Sequence, residues 1–316
     1  MTGTISITDW DWFQFLSAQN DLDEVNFWRP ADLRRPNLAP GTPFIFKLNA
    51  DHGGHIVGYG IFARHTIMPM SLVWDAFQRG NGAANFAELH RMLKRIRDAK
   101  GKASDPFGNF DIGCLMLSAP VFFDRADWIR PPADWPSTGV MQGKSYDLAT
   151  GGGARVWEAC LALTRSSGLA RRESGFAAEP GAPRYGTPSL VAPRLGQGTF
   201  RLAVTDAYGR ACAVTNEHSL PVLEAAHIRP YADEGPHRVA NGLLLRTDIH
   251  RLFDKGYVTI TPDDMRFVVS RRLKEDYENG TTYYEMNGRV IHLPKAAADL
   301  PSREHLEWHA RERFRG

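Results

Sequence analysis

The sequence predicts an α+β protein that is built from two domains. A chain of 316 residues is long enough for two hydrophobic cores. Strand-like and helix-like apolar patterns alternate in both halves, and a stretch rich in Gly, Pro, Ser and Arg separates them. We therefore expect an N-terminal domain over residues 1–160, a linker over 161–195 and a C-terminal domain over 196–316.

The N-terminal region combines strand-like segments with two helical patterns. Strands are predicted in the segments ISIT, PFIFKLNA, HIVGYGIFARHTI and IGCLMLSAPVFF, which turn-forming residues separate. A helix is predicted to begin at the N-cap Asn85, because apolar residues recur at helical spacing after it. A second helix is expected after the glycines at 151–153.

The C-terminal region predicts a helix, two strands with a polar loop between them, a second helix and a hairpin. The corresponding segments are TFRLAVTDAYG, PVLEAAHI, RPYADEGPHRVANG, LLLR, TDIHRLFDKG and YVTITPDDMRFVVS. Thr247 or Asp248 suits the N-cap of the second helix, and Gly256 its C-terminal stop. Pro262 and Asp263 are typical of the hairpin turn.

Composition excludes several classes of protein. No apolar run reaches the length of a membrane span, and the N-terminus lacks the pattern of a signal peptide. The three cysteines, Cys114, Cys160 and Cys212, are far apart and form no CxxC pair, so we expect neither disulfides nor structural zinc. A reducing cytoplasm fits best. The net charge of +2 neither requires nor excludes a nucleic acid partner.

Three polar residues stand at the junctions of the predicted C-terminal strand, loop, strand and helix. His227 ends the first strand, Asn241 precedes the second, and His250 lies in the first turn of the helix. A neutral imidazole can take a proton from water at physiological pH. A second imidazole on a rigid helix can hold a divalent ion against phosphate oxygens. This pattern indicates phosphodiester hydrolysis.

The run CAVTNEHSLPVLEAAHIRPYADEGPHRVANGLLLRTDIHRLFDKGYVTI, residues 212–260, resembles the signature of HNH endonucleases. The resemblance implies a ββα-metal fold in which His227 is the general base and Asn241 the middle residue of the motif. It also implies that His250 binds a divalent cation, Mg²⁺ or Mn²⁺, with Asn241 and Asp248 as candidate further ligands. The substrate would then be double-stranded DNA.

Two departures from the HNH pattern leave roles open. Many HNH enzymes carry a metal-ligating Asp or His directly before the base, where this chain has Ala226. Asp248, Asn241, Glu224 or substrate oxygens and waters could replace that ligand. Asn241 could instead tether the loop, and Asp248 could be a charge at the helix N-terminus. Relatives that use four cysteines for zinc differ too, since only Cys212 is present.

Two arginines and one aspartate near His250 allow two interpretations each. Arg246 and Arg251 could contact phosphate, or they could be solvated surface residues. Asp254 lies one helical turn beyond His250 and could orient that imidazole, or it could pair with a nearby cation.

Within about residues 1–150 lie the segments NFWRPADL, PFIFKLNADHGGHIVGYGIF, SLVWDAF, NGAANF and GKSYD. In these segments the region resembles PUA-like domains of the EVE and ASCH type. The resemblance implies a small β-barrel with helices, whose pocket takes a flipped and modified base. Aromatic residues with polar neighbours are the candidates for that pocket: Trp28, Asn26, Tyr146, Trp74 and Asp147. For each tryptophan, packing in the core is the alternative.

Together these features predict a modification-dependent DNA endonuclease that restricts phage DNA. Because one HNH site cuts one strand, cutting both strands predicts a homodimer or a second binding event. A modified-base reader that has lost activity through Ala226 is one alternative function. An RNA-cleaving toxin is the other.

Overall fold

The computed structural model describes residues 1–19, 22–102, 109–136, 143–166 and 195–316. The chain divides into two compact units, Met1–Thr199 and Phe200–Gly316. The predicted linker over 161–195 begins inside a helix that extends to Ser166. Its residues 167–194 lie outside the described residues. Among the described residues, no helix combines the length and the apolar character that crossing a bilayer requires.

The first unit contains a six-stranded sheet and four α-helices in its described residues. The strands are β1 (Thr2–Thr8), β2 (Glu24–Arg29), β3 (Pro43–Leu48), β4 (Ile56–Pro69), β5 (Asp111–Phe122) and β6 (Gly143–Asp147). The helices are α1 (Trp10–Ser17), α2 (Met70–Phe77), α3 (Phe86–Ala99) and α4 (Gly151–Ser166). The N-cap of α3 is Asn85, as predicted, and its side chain accepts a hydrogen bond from the Glu88 backbone N–H.

The strands follow the order β2-β5-β4-β3-β1-β6, with β1 parallel to β3 and every other neighbouring pair antiparallel. The edge strands β2 and β6 are not paired with each other in the described part of the chain, so the predicted small barrel is not confirmed. Phe27 of β2 and Ser145 of β6 line one cavity.

One face of this sheet packs against α4. Ile5, Ile45 and Tyr59 from the sheet meet Val156 and Trp157 of the helix in a buried apolar cluster. The Tyr59 hydroxyl also hydrogen-bonds to the Thr164 hydroxyl over 3.0 Å. Trp12 of α1 packs against Phe46 of β3, with 5.2 Å between ring centres.

The second unit contains two small antiparallel hairpins and five helices in its described residues. Its elements are α5 (Gln197–Ala207, which begins just before the unit boundary), β7 (Leu223–His227), β8 (Gly242–Arg246), α6 (Thr247–Asp254), β9 (Val258–Ile260), β10 (Phe267–Val269), α7 (Arg272–Tyr277), α8 (Thr281–Tyr284) and α9 (Arg303–Glu312). β7 pairs with β8, and β9 with β10. The N-cap of α6 is Arg246, one residue before the two predicted candidates.

α9 packs against α6 and β9 and completes the core of this unit. His309 is only 2% exposed and stacks on Phe253 with a ring separation of 3.7 Å. Its two ring nitrogens lie 2.9 Å from the Thr259 hydroxyl oxygen and 3.1 Å from the Phe253 carbonyl oxygen. Burial lowers the pKa of His309 to about 4. This imidazole is a neutral core residue, because its hydrogen-bonding atoms are already satisfied inside the unit.

Candidate active site

The β7–β8 hairpin, followed directly by α6, positions the predicted histidines. His227 ends β7 opposite Gly242, the first residue of β8. A Cβ at Gly242 would lie 2.5 Å from Val204 Cγ2 and 3.0 Å from Phe200 Cζ. Glycine is therefore needed for α5 to approach the hairpin closely. That approach brings the Phe200 ring onto His227, with 3.8 Å between ring centres and an angle of 10°.

His227 is a neutral imidazole with a fixed orientation. Its pKa is lowered to about 4, first by burial and then by the neighbouring charges of His237 and His250. Its Nε2 lies 3.2 Å from His237 Nδ1. If Nε2 of His227 carries the hydrogen, its Nδ1 holds a free lone pair that can accept a proton from water.

His237 was missed by the sequence-based selection of site residues. It lies in the loop between β7 and β8 and meets His227 edge-on, at 4.9 Å between ring centres and 83°. Tyr231 packs on it from the same loop, at 5.0 Å. The available signal was a third histidine between the two that were predicted, in the segment EGPHRVANG. Position in a loop alone did not show that this ring would reach His227.

Asn241 is completely buried and holds the loop together. Its Oδ1 accepts a hydrogen bond from the Arg229 backbone N–H over 2.9 Å. Its Nδ2 donates to the carbonyl oxygens of Arg229 and Pro236, both at 2.9 Å. These bonds join the residues that follow His227 to those that precede β8. They favour the tether interpretation over the metal-ligand interpretation.

Replacing Asn241 by alanine should destabilise the second unit by about 1–3 kcal/mol, because it leaves buried backbone groups of Arg229 and Pro236 without partners. Urea denaturation of the full chain measures this change, and hydrogen exchange of residues 228–241 should accelerate. Asn241→Asp keeps the acceptor but points a buried carboxylate at the carbonyl oxygens of Arg229 and Pro236, so we expect a loss at least as large. Unchanged stability with weakened metal binding would instead support the ligand interpretation.

His250 lies between two carboxylates. Its Nδ1 is 2.7 Å from Glu224 Oε2 on β7, and its Nε2 is 3.3 Å from Asp254 Oδ2 one turn along α6. Burial raises the pKa of Asp254, the charge of His250 opposes that rise, and the charge of Glu224 adds to it. The three groups therefore interact electrostatically.

The donor chemistry around His250 suits a divalent cation. When neutral His250 donates Nδ1–H to Glu224, its Nε2 lone pair faces the Asp254 carboxylate, and two acceptors meet without a proton between them. A cation at that position would remove the conflict. Among the described residues no group of three or more His, Cys, Asp or Glu side chains is arranged to hold a metal ion. Two ligands with open positions remain compatible with Mg²⁺, which usually keeps waters and substrate phosphate oxygens.

Asp248 and Arg246 are engaged with each other rather than with His250. Arg246 Nε and Nη2 donate to the two Asp248 carboxylate oxygens, each over 2.7 Å, and Tyr283 donates to Asp248 over 3.1 Å. Hydrogen bonding to Arg246 lowers the pKa of Asp248. The predicted ligand set of His250, Asn241 and Asp248 is thus not brought together. Arg251 is exposed and lines an open cavity of about 470 Å³ beside Arg246.

The five residues predicted to form a base pocket do not converge either. Trp28 lines the large cavity of the first unit, and its Nε1–H donates to the Asn81 carbonyl. Asn26 is fully buried and donates to the Asn81 side chain instead. Trp74 packs against a helix, Tyr146 belongs to the core under α4, and Asp147 binds the chain's N-terminal amine. Strand alternation separates Tyr146 from Asp147, because neighbouring residues of one strand face opposite sides of the sheet.

Comparison with known protein families assigns a class to one segment of the second unit. Residues 212–261 match the model of the HNH endonuclease family that is described as HNH_2. The match covers the β7–β8 hairpin, α6 and β9, which carry both histidines. This segment is therefore an HNH endonuclease domain.

Two further comparisons were made with the full sequence or structure of the chain. A solved structure described as the modification-dependent TagI restriction endonuclease is 15% identical, with 94% of this chain and 78% of that chain covered and a TM-score of 0.27. No curated protein matches the chain. The classification therefore rests on residues 212–261.

Proposed function

We propose that the chain is a divalent-cation-dependent DNA endonuclease in which His227 is the general base. The observation that carries this proposal is the state of His227: a neutral, ring-stacked imidazole at the end of β7, in electrostatic reach of His250. A base must be unprotonated before it acts, and the lowered pKa keeps His227 so at physiological pH. The HNH domain over residues 212–261 supports the same assignment.

His227 removes a proton from the water that attacks the phosphodiester. Stacking on Phe200 and the contact with His237 Nδ1 hold the ring in one orientation during this step. His237 then shares the positive charge that His227 acquires, because the two rings are joined by one hydrogen bond. The bond between phosphorus and the 3′ oxygen breaks, and the leaving oxygen takes a proton from solvent, so the products are a 5′ phosphate and a 3′ hydroxyl. His237 is a positioning residue in this mechanism.

Asp254 and His250 Nε2 are the groups that we expect to hold the cation, and Glu224 orients His250 through Nδ1. Bound there, a cation supplies charge stabilisation for the phosphate and its leaving oxygen. This assignment keeps His250 from the predicted ligands and puts Asp254 in place of Asn241 and Asp248, which have other partners. It also gives the cation protein ligands although Ala226, which is buried, stands where many HNH enzymes carry a metal-ligating Asp or His.

We further propose that cleavage depends on a modified base in double-stranded DNA and serves to restrict phage DNA. The resemblance of residues 1–150 to PUA-like domains and the large cavity in the first unit support a base-reading role. A homodimer would bring two sites to the two strands.

The test of the nuclease proposal is a cleavage panel with the full chain. We expect it to cut plasmid DNA that carries modified cytosine or adenine in Mg²⁺ or Mn²⁺, and to stop when EDTA removes the ion. Unmodified plasmid and RNA of the same length are the comparison substrates. Cleavage that persists in EDTA would contradict the cation dependence. Preferential cutting of RNA would favour the toxin alternative, and absence of cutting on every substrate would favour an inactive reader.

A further inference from the structure

The loop between β7 and β8 carries an exposed aromatic ring close to the candidate general base. Tyr231 is 61% exposed, although large apolar side chains in this unit are mostly buried. Its ring packs on His237 at 5.0 Å between ring centres, and His237 in turn meets His227 at 4.9 Å. A single imidazole therefore separates Tyr231 from the proposed base. The proposed hydrolysis mechanism gives Tyr231 no role.

The backbone of the loop fixes the position of Tyr231. The Pro230 carbonyl oxygen accepts hydrogen bonds from the backbone N–H groups of Asp233 and Gly235, both over 3.0 Å. A Cβ at Gly235 would overlap the Arg229 carbonyl oxygen, so only glycine allows this tight turn. Because main-chain bonds hold the turn, a ligand that packs on the exposed ring does not have to order the loop first.

The same loop presents an unpaired cation. Arg238 is exposed, and among the described residues no carboxylate pairs with its guanidinium. The two acids of the loop have cations of their own. Asp233 is 2.7 Å from Arg313, and Glu234 is 3.7 Å from Arg229. The Arg238 guanidinium is therefore available for a phosphate of a substrate strand.

We propose that this loop binds one nucleotide of the DNA strand next to the scissile phosphate, with its nucleobase stacked on Tyr231 and its phosphate on Arg238. His237 links both groups to His227, since it touches Tyr231 and directly precedes Arg238 in the chain. The inference rests on the proposed function, because it needs a DNA strand at His227.

Stacking on Tyr231 would position the strand rather than select its sequence. Every nucleobase has a flat face, so stacking on an aromatic ring tolerates any base. Contacts to phosphate fix the register of a strand but carry no sequence information. In a duplex the nucleobase must partly unstack from its neighbour, and the contact with Tyr231 offsets that cost.

Photocrosslinking tests the stacking contact without cleavage. The full chain in EDTA is irradiated with a duplex in which 5-iododeoxyuridine replaces thymidine, because this nucleobase crosslinks to aromatic side chains that stack on it. We expect mass spectrometry to place the crosslink on Tyr231. Tyr231→Ala should lose it and Tyr277→Ala should keep it. Tyr277 is the matched control, since it lies in the same unit and is also 61% exposed.

Titration of the full chain with the same duplex in EDTA measures what each side chain contributes. Tyr231→Ala should weaken binding by about 10-fold, the effect expected for the loss of one base–aromatic stack. Tyr231→Trp keeps a flat ring and should bind as the parent does. Urea denaturation should not distinguish these variants from the parent, because the ring is exposed.

Titrations at several salt concentrations test the phosphate contact. Arg238→Gln should reduce the magnitude of the slope of log K against log salt by about 1, and Arg238→Lys should keep the parent's slope. Arg289→Gln is the matched control, since it removes an exposed arginine beside β10. Its slope should equal that of the parent.

The loop proposal and the nuclease proposal fail in different ways. The loop proposal is overturned if Tyr231→Ala binds and crosslinks as the parent does, if Arg238→Gln keeps the parent's salt slope, or if the parent binds no duplex. Equal losses in the two control variants would also overturn it. Cutting of plasmid in Mg²⁺ or Mn²⁺ is scored separately. Binding that depends on Tyr231 and Arg238 without any cutting would sustain the loop contact and overturn the nuclease.

Discussion

Replacing His227 by alanine should lower the rate of DNA cleavage by about 10²–10⁴-fold, the usual contribution of a positioned general base. The variant should still fold and bind DNA, because the half-buried His227 ring stacks on the surface of Phe200 and is not part of the central core. Cleavage of a fluorescently labelled duplex under single-turnover conditions measures the loss. A His227→Ala protein with full activity would remove the proposed base.

His218→Ala is the matched control for this prediction. His218 is an exposed histidine in the same HNH domain, nine residues before His227, and should give the parent's rate. His237→Ala should have an intermediate effect, since it removes the orientation of His227 but leaves its ring in place. A positioning role is shown by a decrease in kcat with unchanged DNA affinity and unchanged unfolding.

The pH profile of the parent gives an independent check of the same assignment. An ordinary histidine base loses activity as the pH falls through about 6.5. His227, whose pKa is lowered to about 4, stays neutral and competent further into the acid range. The acid limb of kcat/KM should therefore lie at lower pH than the limb that an ordinary histidine base would give. In the complex, the phosphates of bound DNA favour the protonated imidazole of His227 and so raise its pKa. The acid limb of kcat should therefore lie at higher pH than the acid limb of kcat/KM.

Replacing His250 by alanine should abolish detectable cleavage and weaken binding of Mn²⁺ by about 10-fold or more. The physical reason is the loss of the Nε2 donor that faces Asp254 at 3.3 Å. Isothermal titration of the DNA-free protein with Mn²⁺ measures affinity separately from activity. Unchanged Mn²⁺ affinity in the variant would show that His250 is not a ligand.

Carboxylate variants separate the ligand from the residue that orients it. Asp254→Asn should weaken Mn²⁺ binding as strongly as His250→Ala does, because a neutral amide is a poorer donor. Glu224→Gln can still accept from His250 Nδ1, so we expect a smaller decrease. Glu285→Gln, an exposed position on the same unit, should match the parent. A larger loss of Mn²⁺ affinity in Glu224→Gln than in Asp254→Asn would show that Glu224 is the ligand and that Asp254 orients His250.

Much of the second unit follows from local sequence patterns. The predicted strand, loop, strand and helix correspond to β7, β8 and α6, and the predicted hairpin to β9 and β10. Such patterns are reliable because helix and strand periods depend on neighbouring residues. In the first unit, β2 and β6 were not predicted as strands. β2 carries Asn26, a buried polar residue whose side chain hydrogen-bonds to Asn81. From sequence alone, a polar residue at this position suggests solvent exposure rather than a buried strand.

The sequence by itself predicted the class of residues 212–261, because His227, Asn241 and His250 stand in order within one short run, and the family match confirms that class. Only the tertiary structure decided which groups meet those residues. His237 reaches His227, Asp254 and Glu224 enclose His250, and Asn241 closes the loop. It also decided that the exposed ring of Tyr231 packs on His237. Contacts of this kind depend on how loops and strand faces pack, and residue spacing along the chain does not specify that packing.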